Sequence, residues 1–403
     1  MTGPGLLHGP EFMAKIAFIT GCLEPGRDGV GDYAAALGAE CVRQGHSVCA
    51  VALNDGQTVE QWRGGRQGVQ VLRIPASAPV GERMREAARF FGEQQPDCAS
   101  LQFVSYAYAP RGLVFGLARR LRPLFAGRKV HIMFHELWIG RDAGEPLKNR
   151  LTGRCQRLLI QSLARRLRPG AAHTSNQYYV EELRKAGIPA RVLPLFGNLD
   201  LSLTPETDWF YERAVAAGWP LRQETRDQFL LFGFFGSIHP VWRPEPLFAR
   251  LEQAGKRLGR RLGFVSVGRD PAGAALWETL EKTYGGRHLF MRAGEQPAAR
   301  IAGYFRLMDY GLATTPYALI GKSGTTVAMV ESGLPVIVSR EDVFFDGPQP
   351  ELDDIKPLLL RLTDDLGSRL GNQPRGAAPG SRLPAVARRF LQDLGLKTAV
   401  VAA

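Results

Sequence analysis

Residues 309–339 read DYGLATTPYALIGKSGTTVAMVESGLPVIVS, and this stretch decides the fold class. An apolar run over 310–316 is followed by a polar loop, by a helix beginning near Gly324 and by a second apolar run over 334–339. Two buried strands joined by a helix are typical of a parallel sheet with helices packed on its faces. The same alternation extends along the whole chain, so we predict an α/β protein built on doubly wound parallel sheets.

The length of 403 residues suits two domains, because single cores stop growing at about 250–300 residues. We predict strands in the first half at 14–20, 47–53, 69–74, 99–104, 129–135 and 191–195, and in the second half at 229–236, 263–268, 288–292, 310–316 and 334–339. The predicted parts are a leader at 1–12, an N-terminal Rossmann-like domain at 13–198, a linker at 199–228, a C-terminal Rossmann-like domain at 229–380, and a closing helix at 381–403. That helix can pack back on the N-terminal domain.

Charge, cysteine spacing and the absence of certain sequence signatures limit the possible partners and location of the protein. The net charge of +12 attracts polyanions, acidic membranes and phosphate-bearing substrates alike. Signatures of nucleic-acid-binding motifs are missing, so we predict no nucleic-acid partner. The five cysteines form no CxxC pair, which favours reduced thiols and no metal site. No apolar stretch reaches the roughly 18 residues of a membrane span and no export signal precedes the first strand, so we predict a cytoplasmic protein.

Two basic helical segments leave a peripheral membrane contact open. Residues 111–129 and 147–170 each place Arg side chains beside an apolar face, and Arg150, Arg154 and Arg157 share one side. Such a face is either a solvated basic surface on a packed helix or a surface that rests on the anionic inner face of the membrane.

A glycine-rich turn follows the first strand. Gly29 and Gly31 let the backbone approach a ligand closely and present amides at the start of a helix, where anions and hydroxyls bind. The dinucleotide fingerprint GxGxxG would need Gly at position 34, where Ala34 stands, so NAD binding is disfavoured. A tight strand-to-helix turn without a ligand remains the alternative.

A histidine ends another strand of the first half. The run VHIMFHELWIG closes with His135 and Glu136, which places both side chains at the carboxyl edge of the sheet. Open α/β folds bind ligands at this edge, and a neutral imidazole can hydrogen-bond a sugar hydroxyl. We therefore take His135 as a candidate site residue, and His173, after the next short strand, as a weaker one.

The helix that begins in SGTT is the strongest candidate site. Its first backbone amides have no partner inside the helix, so the amides near Gly324 form a cradle for a diphosphate. Lys322 adds a positive charge, and the hydroxyls of Ser323, Thr325 and Thr326 add hydrogen bonds.

Glu331 follows on the same helix, about two turns beyond Ser323. A carboxylate there can accept hydrogen bonds from the two hydroxyls of a ribose, although a solvated helix Glu is the plainer alternative. A P-loop is excluded, because GxxxxGK[ST] would need Gly where Pro316 stands.

Four features in order resemble the family 4 glycosyltransferases: the glycine-rich first loop, HTSNQYYVEELRKAGI…VLPLFGN, VSVGRD and GTTVAMVESGLPVIVS. The resemblance implies a GT-B fold, with two Rossmann-like domains facing each other across a cleft. It further implies sugar transfer from a nucleotide diphosphate with retention of configuration, without a metal or a resident cofactor.

The resemblance also assigns donor-binding residues. Glu331 matches the second Glu of the family's Glu pair, whereas Ser323 stands where the first is expected, which leaves the donor sugar open. Of the family's Arg and Lys clamp, Arg243 is present, and Lys322 can supply the missing charge. Gly236, Ser237 and Arg269 complete the expected donor site.

Several alternatives stay open. The acceptor can be a glycan, a lipid-linked molecule or a small molecule. In an inverting variant, Asp28 or Asp32 can serve as the base. The absent acid at Ser323 also suits a non-catalytic nucleotide-sugar-binding protein, and a nucleotide-sugar epimerase shares the same architecture.

Overall fold

The structure is a computed structural model that describes residues 14–140, 146–270, 272–371 and 378–396. The chain forms two compact units, one of Met1–Pro194 with Leu383–Ala403 and the other of Leu195–Arg382. The predicted leader at 1–12 lies outside the described residues.

The first unit is built on an eight-stranded sheet in the order β3-β4-β2-β1-β5-β6-β7-β8. Its pairs are parallel, except that β3 and β4 form an antiparallel hairpin. Because helices cover both faces, the central strands are buried throughout their length, as in the pattern BBBBBB of β5. The strands are β1 Lys15–Thr20, β2 Ser47–Asp55, β3 Trp62–Arg66, β4 Val69–Pro75, β5 Cys98–Phe103, β6 Lys129–Phe134, β7 Ala171–Thr174 and β8 Arg191–Val192.

Five helices connect these strands. They are amphipathic: on the second of them, Ala87, Phe90 and Phe91 are buried at the spacing of one helix face. The helices are α1 Gly29–Arg43, α2 Val80–Gln94, α3 Leu117–Phe125, α4 Leu147–Leu167 and α5 Gln177–Lys185.

The second unit has a six-stranded, all-parallel sheet in the order β11-β10-β9-β12-β13-β14. The predicted α/β class with doubly wound parallel sheets is therefore confirmed in both units. The strands are β9 Phe229–Phe235, β10 Arg261–Val267, β11 Leu289–Gly294, β12 Tyr310–Ala313, β13 Val336–Val338 and β14 Leu359–Arg361.

Residues 199–228, predicted to be a linker, belong to the second unit and help to form its core. Trp209 and Phe210 of the first helix in this unit are buried there, together with Trp219 and Leu221. The helices are α6 Asp208–Ala216, α7 Glu245–Leu258, α8 Ala274–Tyr284, α9 Ala298–Leu307, α10 Gly324–Glu331 and α11 Leu366–Arg369.

After Arg382 the chain re-enters the first unit as α12, Leu383–Asp393. Phe390 of this helix stacks on Phe18 of β1, with ring centroids 5.7 Å apart, and Lys129 of β6 donates to the carbonyl of Leu394. The C-terminal helix therefore completes the apolar cover of the first sheet. Within the described ranges, no helix is both long enough and apolar enough to cross a membrane.

Candidate functional site

The loops at the carboxyl edge of the second sheet meet at two glycines. Gly236 follows β9 with a φ of 79°, and Gly268 follows β10 with a φ of 112°, a region in which side chains are strained. A Cβ atom on Gly236 would lie 2.9 Å from Cγ2 of Thr325, and one on Gly268 would lie 3.1 Å from the amide nitrogen of Gly236. Glycine is thus required at both positions, and Gly236 adjoins the start of α10.

The start of α10 presents open backbone amides. Ser323 is the N-cap residue, and its hydroxyl accepts a hydrogen bond from the amide of Thr326 at 3.3 Å. The same oxygen lies 2.8 Å from Oγ1 of Thr326 and 3.2 Å from Oγ1 of Thr325. The amides of Gly324 and Thr325 have no acceptor within the described part of the chain, which is the arrangement that binds anions.

Positive charge surrounds this helix start. The pKa of His239 is lowered by burial and then by the nearby cations Arg340 and Lys322. Arg340 is itself buried, donates to the carbonyl of Thr314 at 3.1 Å and pairs with Asp342. Two cations, Lys322 and Arg340, therefore lie near His239, and Asp342 balances the charge of Arg340.

Two buried polar side chains hold the loop after β9. Asp270 accepts from the amide of Ile238 at 3.0 Å and from that of Gly273 at 2.8 Å, and the hydroxyl of Thr314 accepts from the amide of His239 at 2.9 Å. Asp270, Thr314 and His239 were not predicted as site residues from the sequence. Their positions in the sequence could have identified them, because each lies within a few residues after the end of a strand.

Three of the predicted donor residues lie in solvent. Ser237 and Arg243 are exposed, and among the described residues neither forms a side-chain hydrogen bond or ion pair with α10. Arg269 is also exposed, and its Nε lies 3.9 Å from a carboxylate oxygen of Glu295. The structure thus brings Gly236 to the start of α10, and within the described residues neither arginine forms a hydrogen bond or an ion pair with that helix.

Glu331 has a structural role that the sequence did not predict. Its side chain is fully buried, and its two oxygens accept from the backbone amides of Gly197 at 3.0 Å and Arg382 at 2.9 Å. Burial raises the pKa of its carboxyl group, against the opposing effect of these two hydrogen bonds. A ribose would have to displace an amide, so the ribose assignment of Glu331 stays a prediction.

In the first unit, a carboxylate occupies the start of α1. Asp28 is the N-cap residue, and its side chain accepts from the amides of Val30 and Gly31, each at 3.3 Å. A Cβ atom on Gly31 would lie 2.2 Å from the carbonyl oxygen of Cys22, whereas Gly29 is exposed. Gly31 therefore serves a tight turn, and Asp28 accepts from its amide. The assignment of Gly29 and Gly31 to the donor site stays a prediction.

The two candidate bases of this loop are both partly desolvated. Burial raises the pKa of Asp28 and of Asp32 above the ordinary carboxyl value. Asp32 also accepts a hydrogen bond from the amide of Gly26 at 3.0 Å. A raised carboxyl pKa suits a proton acceptor, although both side chains also hold the loop in place.

His135 lies half-buried just after β6, at the carboxyl edge of the first sheet, as predicted. Its Nε2 lies 2.9 Å from Oε1 of Gln102, and its ring packs edge-on against Tyr33. Burial lowers the pKa of His135 to about 3, so the imidazole is neutral at physiological pH. His173, the weaker candidate, is instead fully buried inside the unit.

Among the described residues, no cluster of three or more His, Cys, Asp or Glu side chains is arranged to hold a metal ion.

Comparisons with known proteins agree with this architecture. Residues 28–198 match the model of a glycosyl transferase 4-like domain. No curated protein matches the sequence significantly.

Solved structures match over nearly the whole chain. HepE of Anabaena, solved with UDP and glucose, has a TM-score of 0.57 and 14% identity, covering 95% of this chain and 97% of its own. The glycosyltransferase WaaG, involved in lipopolysaccharide biosynthesis, has a TM-score of 0.51 and 14% identity, with 93% and 99% covered. A trehalose-6-phosphate protein of E. coli, bound with UDP-2-fluoro glucose, has a TM-score of 0.51 and 10% identity, with 94% and 96% covered. Residues 28–198 thus resemble a glycosyl transferase 4-like domain, and over its length the chain has the GT-B fold of the solved glycosyltransferases.

Proposed function

We propose that this protein transfers a sugar from a nucleotide diphosphate to the hydroxyl group of an acceptor, with the donor diphosphate bound at the start of α10. The observation that carries the proposal is the pair of open amides on Gly324 and Thr325. They lie at the carboxyl edge of a parallel sheet, where such folds bind ligands, and beside the positive charge of Lys322.

In the proposed reaction, the bond between the anomeric carbon and the diphosphate oxygen breaks, and a bond from the acceptor oxygen to that carbon forms. The acceptor proton passes to an oxygen of the departing diphosphate. The amides of Gly324 and Thr325, together with Lys322, stabilise the negative charge that develops on the leaving group. Because these groups are positioned before the reaction, we propose that the transfer needs no metal ion. We also propose that Arg243 reaches the diphosphate only in the complex with the donor.

Two similar structures suggest the nucleotide. HepE was solved with UDP and glucose, and the E. coli protein with UDP-2-fluoro glucose. We therefore propose a uridine diphosphate sugar as the first donor to test. The acceptor is a hydroxyl compound of the glycan, lipid-linked or small-molecule classes.

The first test measures thermal stabilisation by UDP, GDP, ADP and TDP. A ligand that binds only the folded state raises the melting temperature, and 100-fold excess over Kd adds about 2.7 kcal/mol of stability. We expect UDP to give the largest shift in melting temperature. EDTA should leave that shift unchanged, and it should also leave unchanged the release of UDP from UDP-glucose in the transfer reaction. If none of the four nucleotides raises the melting temperature measurably, the proposal is contradicted.

The fate of the donor separates this function from its rivals. A transferase releases nucleotide in proportion to the acceptor supplied. An epimerase converts the nucleotide sugar to its epimer without any acceptor, and a non-catalytic binder leaves the donor unchanged. We expect an α-linked product from an α-linked donor, as seen in the NMR coupling of the anomeric proton. A β-linked product would indicate inversion of configuration, and the base would then be Asp28 or Asp32.

We further propose that α4 rests on an anionic membrane surface. Leu147, Leu151 and Leu158 are exposed on one side of this helix, with side chains 71%, 55% and 62% accessible. Arg154 lies on the same side, and the helix sequence contains six Lys or Arg residues and no Asp or Glu. Exposed leucines among cations are typical of helices that lie in the plane of an anionic bilayer.

Replacing Leu151 with Glu tests this contact. We expect the variant to bind vesicles that contain phosphatidylglycerol at least about tenfold more weakly, because it loses apolar contact and gains a like charge. Val215→Glu on α6, another exposed apolar position, serves as the matched control. Vesicle binding that is the same for the wild type and both variants would contradict the proposal.

A further inference from the structure

A continuous chain of six hydrogen-bonded side chains runs through the interior of the first unit. From His135 it passes to Gln102 at 2.9 Å, to Ser100 at 2.7 Å, to His131 at 2.7 Å, to His173 at 2.9 Å and to Asp393 of α12 at 2.9 Å. The four central side chains are at most 1% exposed. We propose that this relay, anchored at Asp393, fixes the tautomer of His135 and leaves its Nδ1 as a hydrogen-bond acceptor.

Asp393, at the far end of the relay, determines which group donates in each of its hydrogen bonds. The pKa of Asp393 is lowered, against the effect of burial, by its hydrogen bond to His173 and by nearby positive charge, so its carboxylate is ionised and can only accept. Nε2 of His173 must therefore carry a proton. Because burial keeps His173 neutral, its Nδ1 has only a lone pair, and Nε2 of His131 must be the donor to it.

The same reasoning extends to the other end. His131 is also held neutral by burial, so its Nδ1 accepts from the hydroxyl of Ser100. The Ser100 oxygen then needs a donor on its other side, and Nε2 of Gln102 supplies it. This orients the amide so that its oxygen faces His135, and Nε2 of His135 must carry the proton.

The relay fixes protons and does not conduct them. An imidazole or a hydroxyl can accept a proton at one atom while releasing another, but the amide of Gln102 has no readily transferable proton. Gln102 lies between His135 and every other titratable member of the chain. A role in tautomer selection is therefore the one that the chemistry of the relay allows.

The consequence is a selective hydrogen-bond acceptor at the carboxyl edge of the first sheet. A neutral imidazole with its proton held on Nε2 can accept from a hydroxyl through Nδ1, and it cannot donate there to a phosphate oxygen. Under the proposed function, on which this last step depends, His135 would favour a sugar hydroxyl over a phosphate oxygen. The Nδ1 atom has no partner among the described residues.

Among the described residues, charged side chains contact the relay at Asp393, its far end. Arg191 of β8 donates to the other oxygen of Asp393 at 2.9 Å, and Arg389 of α12 pairs with the oxygen that His173 also contacts. The ring of Phe390 packs edge-on against His131. Helix α12 thus contributes both the anion that sets the direction and an apolar side chain that seals the chain from water.

Nitrogen-15 NMR of the full-length protein, labelled at histidine, tests the inference without any substrate. The chemical shifts of the two ring nitrogens report which one carries the proton. We expect His131, His135 and His173 all to show the Nε2–H form at neutral pH, with signals assigned by single His→Gln variants. A wild-type His135 in the Nδ1–H form, or in a rapid mixture of both forms, would overturn the proposal.

Variants at the far end test whether the relay, and not Gln102 alone, sets the tautomer. Asp393→Leu removes the terminal acceptor, and we expect the Nδ1–H population of His135 to rise at least about fivefold. Asp353→Leu, an exposed control in the second unit, should preserve the wild-type spectrum. Ser100→Ala, which cuts the chain at its centre, should reproduce the effect of Asp393→Leu. An unchanged His135 tautomer in both disrupting variants would show that the relay has no such role, whether or not the protein transfers sugars.

Discussion

Replacing Gly324 with Asp should weaken binding of the nucleotide diphosphate at least about 100-fold, a loss of about 2.7 kcal/mol. The substitution places a carboxylate beside the open amides of α10, where it competes for their hydrogen bonds and repels the ligand's charge. A Cβ atom at Gly324 meets nothing within 4 Å, so the side chain is accommodated without strain. Isothermal titration with the stabilising nucleotide measures the effect.

The same change should not unfold the protein. A negative charge at the first turn of a helix stabilises it by about 0.3–1 kcal/mol, because it complements the helix dipole. We therefore expect the unfolding free energy of the Gly324→Asp variant to stay constant or rise while its nucleotide affinity falls. Gly324→Asn is the matched neutral control and should keep most of the affinity. Equal affinities for the Asp variant and the wild type would place the diphosphate elsewhere.

Replacing Glu331 with Ala should lower the unfolding free energy by about 3–5 kcal/mol, because two buried backbone amides lose the carboxylate that accepts their hydrogen bonds. A Cβ atom on Gly197 would lie 2.6 Å from the Glu331 carboxylate, so the segment packs directly on this side chain. Denaturant unfolding measures the loss. Glu278→Ala, on the exposed face of α8, is the control and should change stability by less than about 0.5 kcal/mol.

The same variant decides whether Glu331 also binds ribose. If its role is structural alone, the ratio of UDP affinity to pyrophosphate affinity stays the same in the folded protein. If it also accepts hydrogen bonds from the pentose, that ratio falls, because pyrophosphate lacks the ribose. A Glu331→Ala protein as stable as the wild type would contradict the structural role.

Periodicity in the sequence predicted the fold well where strands are buried on both faces. The predicted strand at 229–236 became Phe229–Phe235, and the one at 47–53 became Ser47–Asp55. Strand β3, Trp62–Arg66, was missed because it is mostly exposed and lacks an apolar run. Strand β14 was missed because it has only three residues.

The error at 199–228 has a physical cause. This segment contains Pro205 and several charged residues, a composition typical of a linker, yet its apolar side chains pack into the second core. The amino-acid composition of a segment does not distinguish the residues that will be exposed from those that will be buried. Only the tertiary structure shows that Trp209 and Phe210 have a core to enter.

The candidate site was predictable where one short segment forms it, and not where distant segments meet. The helix start at Gly324 with its Ser323 cap follows from neighbouring residues. By contrast, Glu331 meets the amide of Gly197 across 134 positions, and His173 meets Asp393 across 220. Such pairs come together only in the folded chain, so no local feature of the sequence connects them.

A crystal structure of the protein with UDP tests the central claim most directly. The diphosphate oxygens are predicted to lie within about 3.2 Å of the amide nitrogens of Gly324 and Thr325, the upper limit of a normal N–H···O hydrogen bond. A diphosphate bound at another place, with those two amides facing only solvent, would contradict the account.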